Sequence, residues 1–182
     1  MQKLKPFLLL AFILLQFTTN AQVIISQYYE GTGTNKWIEL TNLGTAAVNT
    51  ASPQLKLGIW SVGGSTGNIV FTGAATATMN LTVTIPAKGS VLIGNTGNGT
   101  EVSYLTAASA AQTSNTVINF NGNDGIALLS ASNVVLDRFG TGINATDIKL
   151  CKKHQRNSAG CNFFGRTMDY GIYCNRICGS YG

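Results

Sequence analysis

Apolar and polar residues alternate with a period of two along most of the chain between residues 22 and 147. Leu55, Leu57 and Ile59 alternate with Lys56, Gly58 and Trp60, and Leu81, Val83 and Ile85 alternate with Thr82 and Thr84. Ile38 and Leu40 share one face of their segment, and Trp37, Glu39 and Thr41 share the other. The pairs Val91/Ile93, Ile126/Leu128 and Val134/Leu136 repeat the pattern. Successive strand side chains point to opposite faces, so this spacing predicts strands with one face in a core and one in water. Turn-forming blocks separate the runs: Gly31-Thr32-Gly33, Asn42-Leu43-Gly44, Gly63-Gly64, Pro86-Ala87-Lys88-Gly89, residues 95–99 and Asn121-Gly122-Asn123-Asp124-Gly125. The Ala-rich residues 106–111 come nearest to a helix, but their length predicts a loop or a single turn. About eight to nine short strands at this spacing predict an all-β chain folded as a β-sandwich.

A different pattern precedes the strands. Lys3 and Lys5 stand before an apolar run over residues 7–17 that only Gln16 interrupts, and Thr18-Thr19-Asn20-Ala21 follows. A basic start, a short apolar run and small residues before a cut describe a signal peptide over residues 1–21, cleaved after Ala21. The run is too short for a comfortable membrane span, which leaves a short membrane anchor as the weaker reading. No later segment is long and apolar enough to cross a bilayer as a helix. The expectation is a mature protein that begins at Gln22, is secreted or held at the cell surface, and has no transmembrane segment after cleavage.

Composition narrows the class. Charged residues make up 10% of the 182, against about a quarter in an average domain. Thr, Ser and Asn must therefore cover the wet face of the strands. The 21 glycines follow no triplet period, so the chain is not collagen-like. It is also too apolar for a disordered tail and too short for a typical two-domain enzyme. The net charge is +5, which by itself would suggest an anionic partner. Its distribution argues otherwise. Residues 22–147 carry four basic side chains against six acidic ones, a balance of −2, whereas residues 148–182 carry six against one. Nucleic acid is thus not an expected partner of the acidic body.

Two blocks near the start carry a family resemblance. Val23-Ile24-Ile25-Ser26-Gln27-Tyr28-Tyr29-Glu30 is followed by Asn35-Lys36-Trp37-Ile38-Glu39-Leu40-Thr41-Asn42. Together these resemble the opening of bacterial lamin tail domains. Leu55-Lys56-Leu57, then residues 85–93 from Ile85-Pro86-Ala87-Lys88-Gly89, then residues 121–129 leading into Val134–Gly140, resemble later blocks of that family in the same order. The resemblance runs from Val23 to Gly140. It implies an immunoglobulin-like sandwich with no catalytic residues to transfer. It also implies frequent company with secreted nucleases, phosphatases or surface anchors.

Candidate chemistry is sparse. Asn121-Gly122-Asn123-Asp124-Gly125 faintly resembles a calcium loop, but residues 126–130 put apolar groups where several oxygen ligands should follow. A hairpin turn built on Asn-Gly accounts for the block better. Glu30 and Glu39 can be imagined as a carboxylate pair, but they are read as having no His, Lys or metal motif nearby, which argues against acid–base work, and Glu39 is read as a polar outward position on a strand. Residues 95–99 are Gly-rich but lack the Lys and helix of a phosphate loop, and read as a surface loop. Trp37 and Trp60 each fall opposite their strand's aliphatic residues, which makes them the candidate ligand contacts, by stacking on a sugar ring or anchoring a protein. The competing reading is that one of them covers an open end of the core. No catalytic residue, cofactor or metal is expected.

The last 35 residues change character. All four cysteines, Cys151, Cys161, Cys174 and Cys178, and the single His154 lie there. Export would permit disulfides, and four cysteines allow three pairings between which sequence does not choose. A zinc site using His154 fits no familiar spacing. Residues 148–182 are read as a basic, irregular, Cys-containing tail, either genuine and disordered or translated out of frame. Met168-Asp169 is encoded ATG-GA, so a shift by one nucleotide reads TGG, a Trp, where the family expects a closing strand. The resulting expectation is an exported, non-enzymatic lamin-tail-like module that binds a surface protein or glycan or plays a structural part at the cell surface. The alternative is an accessory domain cut from a larger secreted nuclease, phosphatase or other hydrolase.

Overall fold

The computed structural model describes residues 23–64, 67–97, 107–139 and 149–151. Residues 1–21 with the expected cleavage point, His154, Cys161, Met168-Asp169, Cys174 and Cys178 lie outside them. The described residues form eleven strands and one 3-10 turn. The strands are β1 (Val23–Glu30), β2 (Lys36–Asn42), β3 (Val48–Asn49), β4 (Lys56–Trp60), β5 (Ala77–Asn80), β6 (Thr84–Ile85), β7 (Ser90–Gly94), β8 (Gln112–Thr113), β9 (Gly125–Leu129), β10 (Val135–Phe139) and β11 (Lys149–Cys151). Eight of them are three residues or longer. Residues 106–111 contribute the 3-10 turn, Ala107–Ser109.

Two sheets pack face to face. One has the order β11-β1-β2-β7-β8, the other β10-β9-β4-β5, and β3 pairs with β6 as a small third ribbon. Neighbours are antiparallel except β7 and β8. The core lies between the sheets. Ile25, Tyr28, Ile38, Leu40 and Ile93 come from the first sheet, and Leu57, Ile59, Ile126, Leu128 and Phe139 from the second. These are the inner positions of the period-two pattern, so burial of apolar area selects this pairing of faces. Tyr28 stacks on Phe139 at 5.0 Å and tilts against Phe120 at 4.4 Å between ring centroids.

The turn blocks are fixed by side chains. Asn42 is fully buried at the end of β2. Its Nδ2 donates to the carbonyls of Ala46, Ile85 and Pro86, and its Oδ1 accepts from the Gly44 amide at 2.8 Å. One amide side chain therefore ties the 42–46 turn to the Pro86 turn, which explains a polar residue at a core position. Lys88 takes a positive φ of 56° there.

Three expectations change. Leu81, Val83 and Ile85 are all buried, yet they do not form one strand: the chain leaves β5 at Asn80, crosses the side of the sandwich, and re-enters as β6. Val134 and Leu136 do not face the core; they are 59% and 52% exposed. The β9–β10 ladder is irregular between Val135 and Asp137, and the extra residue rotates the strand so that Phe139 turns inward instead. The Asn121–Gly125 block is no hairpin between two strands. It is the turn that delivers the chain into β9, and the hairpin to β10 closes instead at Ser130, whose amide donates to the Val134 carbonyl. Beyond the expected body, Lys149–Cys151, assigned on sequence to the tail, pair with Gln27, Tyr28 and Tyr29 of β1.

Candidate functional site

Trp60 lies where alternation placed it, on the outside of the four-stranded sheet, opposite Leu57 and Ile59. It is not available to a ligand, being 8% exposed. The β4–β5 connection folds back over it, so that Trp60, Ala127 and Leu129 form a second apolar cluster with Phe71 and Ala75. The Phe71 ring meets the indole edge-on at 5.2 Å, and Nε1 donates to the Gly73 carbonyl at 3.1 Å. Two glycines make room for this layer. A Cβ on Gly58 would stand 2.8 Å from the Leu129 Cδ1, and one on Gly125 2.8 Å from the Phe71 ring. Trp37 is 2% exposed on β2, paired with Tyr29 and Gly94. Both tryptophans, expected as candidate contacts, are thus buried in the fold. Alternation fixes the face a side chain takes but not whether a loop covers that face.

Glu30 and Glu39 do not form a pair, because they lie on opposite faces of the five-stranded sheet. Glu30 faces inward at the end of β1, directly across from Lys36. The two make a buried ion pair at 3.3 Å, each side chain 6% exposed, and the Lys36 ammonium lies 5.8 Å from the Phe120 ring centre. Burial, then the nearby charges of Glu30 and Asp124, hold the Tyr28 phenol well above its ordinary pKa. Asp124 closes its own turn: Oδ2 accepts from the Asn121 amide and Oδ1 from the Val62 amide, both at 2.7 Å. With both oxygens bonded to backbone amides, this carboxylate is a turn-locking group. Among the described residues no cluster of three or more His, Cys, Asp or Glu side chains gathers. Asn95, at the start of the 95–99 block, is buried, bonded to the Ile118 carbonyl at 2.6 Å and the Gly97 amide at 2.8 Å.

Among the described residues, Glu39 occupies a candidate site that opens to solvent. It lies on the outer face of the five-stranded sheet, in a row of polar side chains that crosses three strands. The Ser26 hydroxyl donates to Glu39 Oε1 at 2.5 Å, the Thr41 hydroxyl donates to Ser26 at 2.6 Å, and Thr41 and Ser90 share a hydrogen bond of 2.7 Å. Beside the row lies an open groove of about 430 Å³, lined by Glu39, Ser90, Val91, Leu92, Ser109 and Ala111 among others. A carboxylate and hydroxyls above an apolar floor suit a polar or cationic group with an apolar flank. Sequence reasoning placed Glu39 and Thr41 outward but missed Ser26 and Ser90. Polar residues at outward positions were visible in each strand, but only the register brings them into one row.

The strands, their order and the buried Asn42 turn describe an immunoglobulin-like sandwich, and comparison with known proteins gives it a family. No curated protein matches the chain significantly. The family model described as Lamin Tail Domain matches residues 16–142. That span takes in every strand from β1 to β10, and the chain belongs to the lamin tail domain family.

Proposed function

We propose that this chain is an exported lamin-tail module without catalytic activity of its own, acting as a binding or structural unit at the cell surface. One observation carries the reading: each carboxylate among the described residues is bonded within the fold. Glu30 pairs with Lys36, Glu39 accepts from Ser26, Asp124 accepts two backbone amides and Asp137 accepts the Ile25 amide. General acid–base work needs a carboxyl group free to reach a reacting atom, whereas these hold strands and turns in place. The half-exposed polar row and the open groove around Glu39 offer a surface protein or a glycan a place to bind. The basic, apolar residues 1–21 support export.

The test follows the full chain in cells and in solution. The reading expects processed protein beginning at Gln22 in the envelope or medium, saturable binding of the labelled protein to intact cells, and no turnover of nucleic acid or phosphate esters. Unprocessed protein confined to the cytoplasm, or turnover that scales with protein concentration, overturns it.

A further inference from the structure

A sandwich of two open sheets has two seams, where the outermost strands of the sheets run side by side. An edge strand there presents amides and carbonyls sideways, ready to pair with another chain. In this fold both seams are crossed by a side chain that reaches from the edge of one sheet to the backbone of the other.

At the first seam the reaching strand is β10, the edge of the four-stranded sheet. Asp137 Oδ2 accepts from the Ile25 amide of β1 at 2.8 Å. This stretch of β1 lies just past the reach of β11, which covers Gln27, Tyr28 and Tyr29, and β1 is irregular between Ile25 and Gln27. At the second seam the reaching strand is β8, the edge of the five-stranded sheet. Gln112 Oε1 accepts from the Thr82 amide at 3.0 Å, and Nε2 donates to the Asn80 carbonyl at 2.8 Å. Asn80 ends β5, the other edge of the four-stranded sheet. A carboxamide carries the same donor and acceptor as a peptide unit. One that binds the carbonyl of residue 80 and the amide of residue 82 fills the place that a residue of an added parallel strand would take.

We propose that Asp137 and Gln112 are seam clasps that close the sandwich on both sides and bar strand addition by a second copy of this chain. The occupant follows from the edge itself. Val135 and Leu136, exposed at 43% and 52%, stand immediately before Asp137 on the same edge strand, and Val134, exposed at 59%, leads into it. Consecutive exposed apolar residues on an edge favour pairing between identical chains. Proteins commonly blunt such edges with Lys or Glu, but this chain has only 10% charged residues. Side-chain-to-backbone bonds across the seam do that work here.

The test is residue-resolved amide exchange together with light scattering over a concentration series, on the full chain with reductant present so that cysteines do not cross-link copies. Asp137→Ala is expected to speed exchange at Ile25 about tenfold or more, the scale of one lost charge-assisted hydrogen bond, and to form dimers or larger species at concentrations where wild type does not. Asp137→Asn, which keeps an acceptor oxygen but loses the charge, is expected to fall between wild type and Asp137→Ala in exchange at Ile25. Gln112→Ala, on a half-buried two-residue edge strand outside the core, is expected to speed exchange at Thr82 and to self-associate. Unchanged exchange at Ile25 and Thr82 in the Ala variants overturns the clasps. Faster exchange without self-association overturns the bar to a second copy.

Discussion

Trp60 and Gly58 sit side by side on the outer face of the four-stranded sheet, and each depends on the other's size. The indole fills the space over Leu129 and Phe71, and Gly58 leaves the gap that Leu129, Ala75 and Trp60 close. Trp60→Ala is expected to cost about 3–5 kcal/mol in urea denaturation, as for other buried large-to-small changes. Gly58→Ala is expected to cost about 1–3 kcal/mol by overpacking, and to be partly relieved by shortening Leu129. An unaltered midpoint for both would mean that the outer layer does not contribute to folding. Tyr28 sets a pH dependence. Its folded pKa is raised above the unfolded value, so its contribution is complete below about pH 10 and declines as pH rises through the folded pKa, because the unfolded chain loses the proton first. Tyr28→Phe should flatten the fall in stability that wild type shows above about pH 10. Denaturation midpoints of the two proteins, measured from pH 9 upward, check the difference.

At the scale of elements, the β1–β2 hairpin ends in a buried pair rather than an exposed one. Glu30 and Lys36 face each other across the ladder beneath Phe120. Removing one member leaves a buried charge, so Glu30→Leu or Lys36→Met alone is expected to cost about 3–5 kcal/mol, and the double variant clearly less than the sum. A double-mutant cycle in denaturant reads this coupling, and additive losses would contradict it. β2, β4 and β9 were legible in the sequence because each places its inward residues two apart, Ile38/Leu40, Leu57/Ile59 and Ile126/Leu128. β3, β6 and β8 were not, since two residues carry no period and owe their existence to a partner strand. β10 shows a different failure. Val134 and Leu136 were read as inward, but Val134 lies ahead of the strand, and a ladder irregularity turns Phe139 to the core and leaves Leu136 in solvent. A bulge shifts the face of every residue beyond it, and nothing local in Val134-Val135-Leu136-Asp137 announces it.

At the scale of the whole molecule, the surfaces open to a partner differ from those that the sequence offered. The aromatic candidates are inside, and the open groove lies around Glu39 and Ser90 on the outer face of the five-stranded sheet. Glu39→Gln combined with Ser90→Ala should reduce binding to intact cells about tenfold, the loss expected for one or two polar contacts, with denaturation midpoints near those of wild type. Conservative Trp37→Phe and Trp60→Phe changes should leave binding unchanged. Equal binding by the groove variant and wild type would move the contact surface elsewhere.

The sequence by itself determined the class of the fold, the inner faces of β2, β4 and β9, the positions of several turns and the family. All of these follow from residues close together in the chain, through a period of two, a turn block or a motif in order. Tertiary structure alone decided that a connecting loop buries Trp60, that Glu30 meets Lys36 while Glu39 meets Ser26, and that Phe139 replaces Leu136 in the core. It also decided that Asp137 reaches an amide 112 residues away. These outcomes depend on which strands become neighbours and in what register, and so on the balance of burial and hydrogen bonding over the entire sandwich. The low charge of the chain joins the two levels. It was visible in composition, and its consequence is a fold that guards its edges with hydrogen bonds across the seams.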